Sequence, residues 1–128
     1  MKPLLKETVE IFDFKGLWDV HSKCGLRIMQ KDDKYIIIVS ELYQDNPGTS
    51  ITQATCSLAK QVCEAYSLPK EEIVYIEHNP DMNSKLSFYD EEFYLVTFGL
   101  NNDNFSNPQW RQLTTAEIKD FFNDENRN

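Results

Sequence analysis

An apolar run at residues 35–43, Tyr-Ile-Ile-Ile-Val-Ser-Glu-Leu-Tyr, predicts a strand that is buried on both faces. Successive side chains of a strand point to opposite sides of the sheet, so Ile36 and Ile38 share one side. Ile37 and Val39 share the other side. Because both sides are apolar, the pattern places this strand in the middle of a sheet.

A helix is predicted directly after this strand. The polar segment 44–49 contains Asn-Pro-Gly and is typical of a turn. Ser50 and Gln53 have the spacing of a capping box, in which each side chain bonds a backbone N–H of the first helical turn. Apolar residues then recur at the spacing of one helical face, at Ile51, Ala54, Leu58, Val62, Ala65 and Tyr66. The pattern predicts a helix over 50–66.

The segment before the apolar run alternates between apolar and polar residues. This alternation begins at Leu17 and is typical of a strand with one buried face. The charged segment Lys31–Lys34 then predicts a tight turn, so we expect an antiparallel hairpin over residues 17–43.

Two further strands are predicted after the helix, at residues 72–78 and 92–99. A strand, a helix and a second strand over about forty residues form a βαβ unit, so the strands at 35–43 and 72–78 should run parallel. Residues 99–109 are rich in Asn, Asp, Ser and Gly, and this composition indicates a loop.

The sequence pattern is ambiguous near the N-terminus and clear near the C-terminus. Residues 9–14 match neither period, which leaves a short strand or an irregular apolar arm. Near the other end, Thr114 and Glu117 have the spacing of a second capping box and predict a short helix over 114–123. The sequence thus predicts one α+β domain over residues 1–128. Its parts are a four-stranded mixed sheet with a β-hairpin, one βαβ crossover helix and a short C-terminal helix.

Composition and charge restrict the class of protein. The chain has 128 residues and a net charge of −8. Direct nucleic-acid binding is not expected, because it requires clustered Lys and Arg side chains. No apolar run approaches the ~20 residues of a membrane span, and no secretory signal is evident. We therefore expect a cytoplasmic protein that does not bind membranes.

Several segments together resemble a family of small uncharacterised bacterial proteins. These are the Ser-Glu-Leu strand end, the Asn-Pro-Gly-Thr-Ser helix start, and the Ile-Glu-His and Leu-Val-Thr-Phe strands, within residues 38–98. The resemblance implies a single self-contained unit, and it implies no assigned activity.

One edge of the predicted sheet is a candidate ligand site. The carboxyl ends of parallel strands and the following helix N-terminus form the usual binding edge of a βαβ unit. That edge gathers Glu41, Asn46, Gly48, Thr49, Ser50, Glu77 and His78. Ser50 has an alternative role as a simple helix cap. The segment lacks the glycines and the lysine of a phosphate-binding loop, so nucleotide hydrolysis is not expected.

Neither a metal site nor a catalytic nucleophile is predicted. Glu77 and His78 are adjacent in a strand and should face opposite sides of the sheet. Cys56 and Cys63 are seven residues apart, about 10 Å along a helix, which is beyond disulfide reach. We expect reduced, mostly buried thiols and no cofactor.

Two functional hypotheses follow. The first is a non-catalytic protein-interaction module, whose partner is either another protein or a second copy of the chain. It uses the sheet face opposite the main helix, where the C-terminal helix, the N-terminal arm or a second molecule must cover the apolar side chains. Aromatic residues expected at the surface support it: Tyr35, Tyr43, Tyr75, Tyr94 and Trp110. The alternative is a small-ligand-binding protein or enzyme that uses the edge around Glu41, Ser50 and Glu77.

Overall fold

The computed structural model describes residues 7–15, 21–43, 51–78 and 93–122. Six strands and two α-helices lie within these ranges. In chain order they are β1 (Glu7–Lys15), β2 (His21–Lys31), β3 (Lys34–Tyr43), α1 (Ile51–Tyr66), β4 (Ile73–His78), β5 (Phe93–Asn101), β6 (Asn104–Gln112) and α2 (Thr115–Phe122). One 3₁₀ turn at Lys70–Glu72 precedes β4.

All six strands form one mixed sheet in which the spatial order follows the chain order. Strands β3 and β4 are parallel, as the βαβ pattern predicts, because α1 carries the chain back between them. The other neighbouring pairs are antiparallel. The α+β class is therefore compatible with the structure, but the predicted four-stranded sheet is wrong, because two additional strands form its edges.

The first additional strand is β1, in the segment that matched neither period. Phe12 and Phe14 are buried under α1, whereas Val9 and Ile11 lie on the opposite face and are exposed. Apolar side chains on both faces hide the period of two, which explains the ambiguity in the sequence. Nine residue pairs join β1 to β2, from Glu7 with Met29 to Lys15 with His21.

The second additional strand is β6, in the segment that was predicted to be a loop. Asn102 and Asp103 have φ values of 54° and 67° and make a tight turn between β5 and β6. Two successive residues with positive φ match the twist of a β-hairpin, and Asn and Asp tolerate this conformation. The polar composition of 99–109 thus belongs to a hairpin at the sheet edge, where many side chains face solvent.

The capping box predicted at the C-terminal helix is confirmed. The Glu117 N–H donates to Thr114 Oγ1 at 3.1 Å, and the Thr114 N–H donates to Glu117 Oε1 at 2.9 Å. The matching capping box at Ser50 lies outside the described residues.

Each face of the sheet has its own hydrophobic cluster. The first cluster lies between the sheet and α1 and includes Leu26, Ile37 and Val62. The second lies on the opposite face, where α2 packs, and includes Ile36, Ile76 and Leu113. Tyr75, expected at the surface, is only 1% exposed, because it lies on central strand β4 within the first cluster.

Among the helices in the described part of the chain, none has both the length and the apolar character that a bilayer crossing demands.

Candidate functional site

The structure describes only part of the predicted ligand edge. Asn46, Gly48, Thr49 and Ser50 lie outside the described residues, and Glu41 is described only through its backbone, which pairs with Cys24 in β2. Glu77 and His78 are described fully. They pair with Val39 and Ser40 of the parallel strand β3.

Glu77 is buried beneath α1, where two neutral groups bond its carboxylate. The Thr55 hydroxyl donates to Oε2 at 2.7 Å, and the Trp110 indole N–H donates to Oε1 at 2.8 Å. Only 7% of Glu77 is exposed. The three residues come from β4, α1 and β6, so this cluster links the crossover helix to an edge strand.

Burial dominates the electrostatics of this cluster. Burial raises the pKa of Glu77 above its ordinary value, and the hydrogen bonds from Trp110 and Thr55 offset part of that shift. Burial also raises the pKa of Cys56, with a further contribution from the charge of Glu77. The pKa of Cys63 is raised to about 11, again mainly by burial. Both thiols are therefore protonated near neutral pH and are poor nucleophiles.

The sequence patterns did not identify Thr55 and Trp110 as hydrogen-bond donors to Glu77. Trp110 was expected at the surface, yet its indole N–H lies beside the buried carboxylate. The chemistry of the side chain gives one indication, because an indole N–H that is removed from water needs a hydrogen-bond acceptor. The choice of acceptor depends on which strands become neighbours.

His78 lies on the sheet face opposite Glu77. Its ring stacks on Phe93, with centroids 4.4 Å apart, and its Nδ1 lies 3.3 Å from Ser40 Oγ. The strand registers place it in one transverse row across five strands: Ile11, Gly25, Ser40, His78 and Phe93. Because the sheet separates His78 from Glu77, the two side chains cannot act on one small ligand.

The row that contains His78 borders an open groove of about 480 Å³, which we call the β1 groove. Its lining is mainly apolar and includes Val9, Ile11, Ile38 and Phe93. Val9 is 71% exposed and Ile11 is 58% exposed. Gly25 also lines the groove and has no side chain to fill it. The second sheet face thus has a part packed with α2 and a part, the β1 groove, that is open to solvent.

The described residues offer little for catalysis. Among them, His, Cys, Asp and Glu side chains do not gather in any group of three or more that could hold a metal ion. The one buried carboxylate in this region is already bonded by two side chains, and the two shifted thiols are protonated.

Comparison of this chain with protein-family models, with curated proteins and with solved structures gave no match.

Proposed function

We propose that this protein is a non-catalytic protein-interaction module that binds its partner at the β1 groove. The observation that carries the proposal is the exposure of Val9 and Ile11, two large apolar side chains on the same face of one strand. Single exposed apolar residues are normal on protein surfaces. An apolar groove that continues from two of them is the kind of patch that marks a binding surface.

The composition of the β1 groove supports a protein as the partner. Apolar side chains from β1, β3 and β5 lie among polar groups that include Arg27, Ser40 and His78. Arg27 also forms an ion pair with Glu7 at the beginning of β1. An apolar centre with a polar rim is the usual anatomy of a protein–protein interface. On the sequence arguments above, we also propose a cytoplasmic location and membership of the small bacterial family that the chain resembles.

The alternative is a small-ligand site at the edge around Glu41, Ser50 and Glu77. The burial of a carboxylate at the carboxyl end of β4 supports it, because buried acids are common in binding sites. Against it, Thr55 and Trp110 already bond both oxygens of Glu77. The exposed apolar surface of the β1 groove has no comparable structural explanation, and we therefore favour the interaction module.

Affinity capture with matched variants tests the proposal. Wild-type protein, Ile11→Lys and Leu100→Lys are each immobilised and exposed to a lysate of the native cell. Leu100 is 43% exposed on β5 and does not line the β1 groove, so it controls for the loss of apolar surface and the gain of charge.

We expect wild type and Leu100→Lys to retain the same protein, identified by mass spectrometry, and Ile11→Lys to lose it. Equal retention by all three proteins would contradict the proposal, and so would retention of no protein by wild type.

A further inference from the structure

We propose that the partner is a second copy of this chain, joined at the sheet edge that borders the β1 groove by antiparallel pairing of the two β1 strands around a two-fold axis at Ile11. The inference rests on the proposed function and adds the partner and the mode of contact. Three features support it: the outward backbone groups of β1, the irregular strand at the opposite sheet edge, and the order of charges along β1.

The outer side of β1 offers backbone groups for pairing. Within the described residues, β1 pairs with β2 alone. The Lys15 N–H donates to Gln61 Oε1 at 2.9 Å, and Gln61 Nε2 donates to the Lys15 carbonyl at 2.6 Å. The backbone groups of Lys15 therefore point away from β2. The direction of the backbone N–H and C=O groups alternates from one residue to the next along an antiparallel strand. The backbone groups of Val9, Ile11 and Asp13 therefore also point away from β2.

The opposite edge of the sheet is poorly suited to pairing. Strand β6 contains Pro108, which has no backbone N–H, and Asn107, whose φ is 50°. The ladder between β5 and β6 also shifts register between Thr97 and Gly99. Proline and local irregularity are the devices by which sheet edges avoid pairing with other chains. Strand β1 is regular over nine residue pairs and contains no proline.

The charges along β1 favour the register centred on Ile11, which also pairs all nine residues of the strand. Pairing centred on Ile11 places Glu7 of each copy opposite Lys15 of the other, so opposite charges meet twice. A shift to a centre at Glu10 would place Glu7 opposite Asp13 and Glu10 opposite itself, so like charges would meet. Directly opposed like charges destabilise a sheet, whereas opposite charges stabilise it. Because Gln61 holds the Lys15 backbone, hydrogen bonding would extend from Val9 to Asp13.

This pairing would also reduce the exposure of the apolar side chains along the outer side of β1. The two Ile11 residues form a hydrogen-bonded pair with Cα atoms about 5.5 Å apart. A two-fold axis perpendicular to the sheet keeps both β1 grooves on the same face and places them side by side. Ile11 of each copy then lies beside Ile11 of the other, and Val9 lies diagonally across from that Ile11 and directly opposite Asp13 of the other copy. The two sheets become one of twelve strands.

Solution mass and charge complementation test the inference. At 0.15 M salt and 1–200 μM protein, we expect sedimentation to give a mass of about 30 kDa, twice the 15.0 kDa of the chain. Ile11→Lys and Ile11→Asp should each raise the dimer Kd at least tenfold, because like charges meet at the axis. An equimolar mixture of the two variants should restore a dimer, and Leu100→Lys should remain dimeric.

Disulfide trapping tests the register, with Cys56→Ser as the background because Cys56 is only half-buried. Ile11→Cys should oxidise to a covalent dimer on a non-reducing gel, since its Cα–Cα distance suits a disulfide. Val9→Cys should not, because the two Val9 residues would lie about 13 Å apart along the strands.

A wild-type monomer at 200 μM would overturn the inference, as would a dimer that Ile11→Lys leaves intact or a dimer in which Val9→Cys links better than Ile11→Cys. The proposed function is tested separately by the capture experiment. A monomer that retains another protein through Ile11 would support the interaction module and reject self-pairing.

Discussion

At the scale of single residues, Glu77 is a carboxyl group that is buried on the α1 side of the sheet. It lies beneath α1 with two neutral donors, and burial raises its pKa. The folded state therefore binds a proton more readily at this site than the unfolded state does. Stability must then fall as pH rises from the ordinary carboxyl range through the raised pKa.

Glu77→Gln should raise the melting temperature near neutral pH, because it removes the charge that burial disfavours. The Gln oxygen can still accept from Trp110, and its amide can donate to the Thr55 hydroxyl. The gain should disappear near pH 4, where the wild-type carboxyl is also neutral. Melting curves across this pH range check the prediction, with exposed Glu71→Gln as the control. A gain that does not depend on pH would contradict it.

Thr55→Val should lower the free energy of unfolding by about 1–3 kcal/mol, because it leaves a buried carboxylate oxygen without its donor. Thr55 is 3% exposed, and its hydroxyl lies 2.7 Å from Glu77 Oε2. Chemical denaturation measures the change. Thr97→Val is the matched control on an exposed strand position and should change stability by less than about 0.5 kcal/mol. Equal effects of the two substitutions would argue against a stabilising hydrogen bond.

At the scale of elements, α2 depends on contacts at its first turn. Arg111 donates two hydrogen bonds of 2.9 Å to Glu117, which also caps the helix with Thr114. The bond from Arg111 and then the backbone bond from Thr114 lower the pKa of Glu117 to about 2. A lowered acid pKa stabilises the fold above the unfolded value, and this contribution is lost as pH falls from about 4.5 to about 2.

Thr114→Ala should cost about 0.5–2 kcal/mol, because the Glu117 N–H loses its acceptor in the first turn of α2. Thr115→Ala, at the next and also exposed position, is the control. Denaturation and amide exchange within α2 measure the effect. An equal loss in both variants would show that the cap is not the cause.

Asn102→Val should destabilise the β5–β6 hairpin by about 1–2 kcal/mol, because Asn102 has a φ of 54° that β-branched side chains disfavour. Asn102→Gly should be neutral or stabilising, since glycine adopts this conformation without steric cost. Asn104→Val, at the beginning of β6, is the control for the change in side chain. Similar stabilities of the two valine variants would contradict the prediction.

At the scale of the whole molecule, the sheet separates two clusters that do not share side chains. Leu58 packs beneath α1 and is 4% exposed, whereas Leu113 packs in the cluster on the other face and is 5% exposed. Both clusters pack on the same sheet, so a substitution in either cluster should lower the free energy of unfolding of one cooperative unit.

Leu58→Ala and Leu113→Ala should each cost about 2–5 kcal/mol, and the double variant should show the sum within about 0.5 kcal/mol. Urea denaturation of all four proteins checks the prediction. If the double variant loses much less free energy of unfolding than the sum of the two single losses, the two clusters are coupled through the sheet.

The sequence by itself determined the elements whose signals are local. The apolar run of β3, the periodicity of α1 and the box at Thr114 each involve residues within a few positions of one another. The parallel pairing of β3 with β4 followed from the order strand, helix, strand, because a helix that crosses back over the sheet returns the chain to the end at which the first strand began.

Only the tertiary structure decided the sheet edges and the neighbours of Glu77. Strand β6 has the polar composition of a loop, and it becomes a strand because a tight turn at Asn102 and Asp103 sets it beside β5. Thr55 and Trp110 lie 22 and 33 residues from Glu77 in the chain. Their contact exists only after the sheet has assembled, since edge strands and buried polar pairs are stabilised by neighbours that no local pattern specifies.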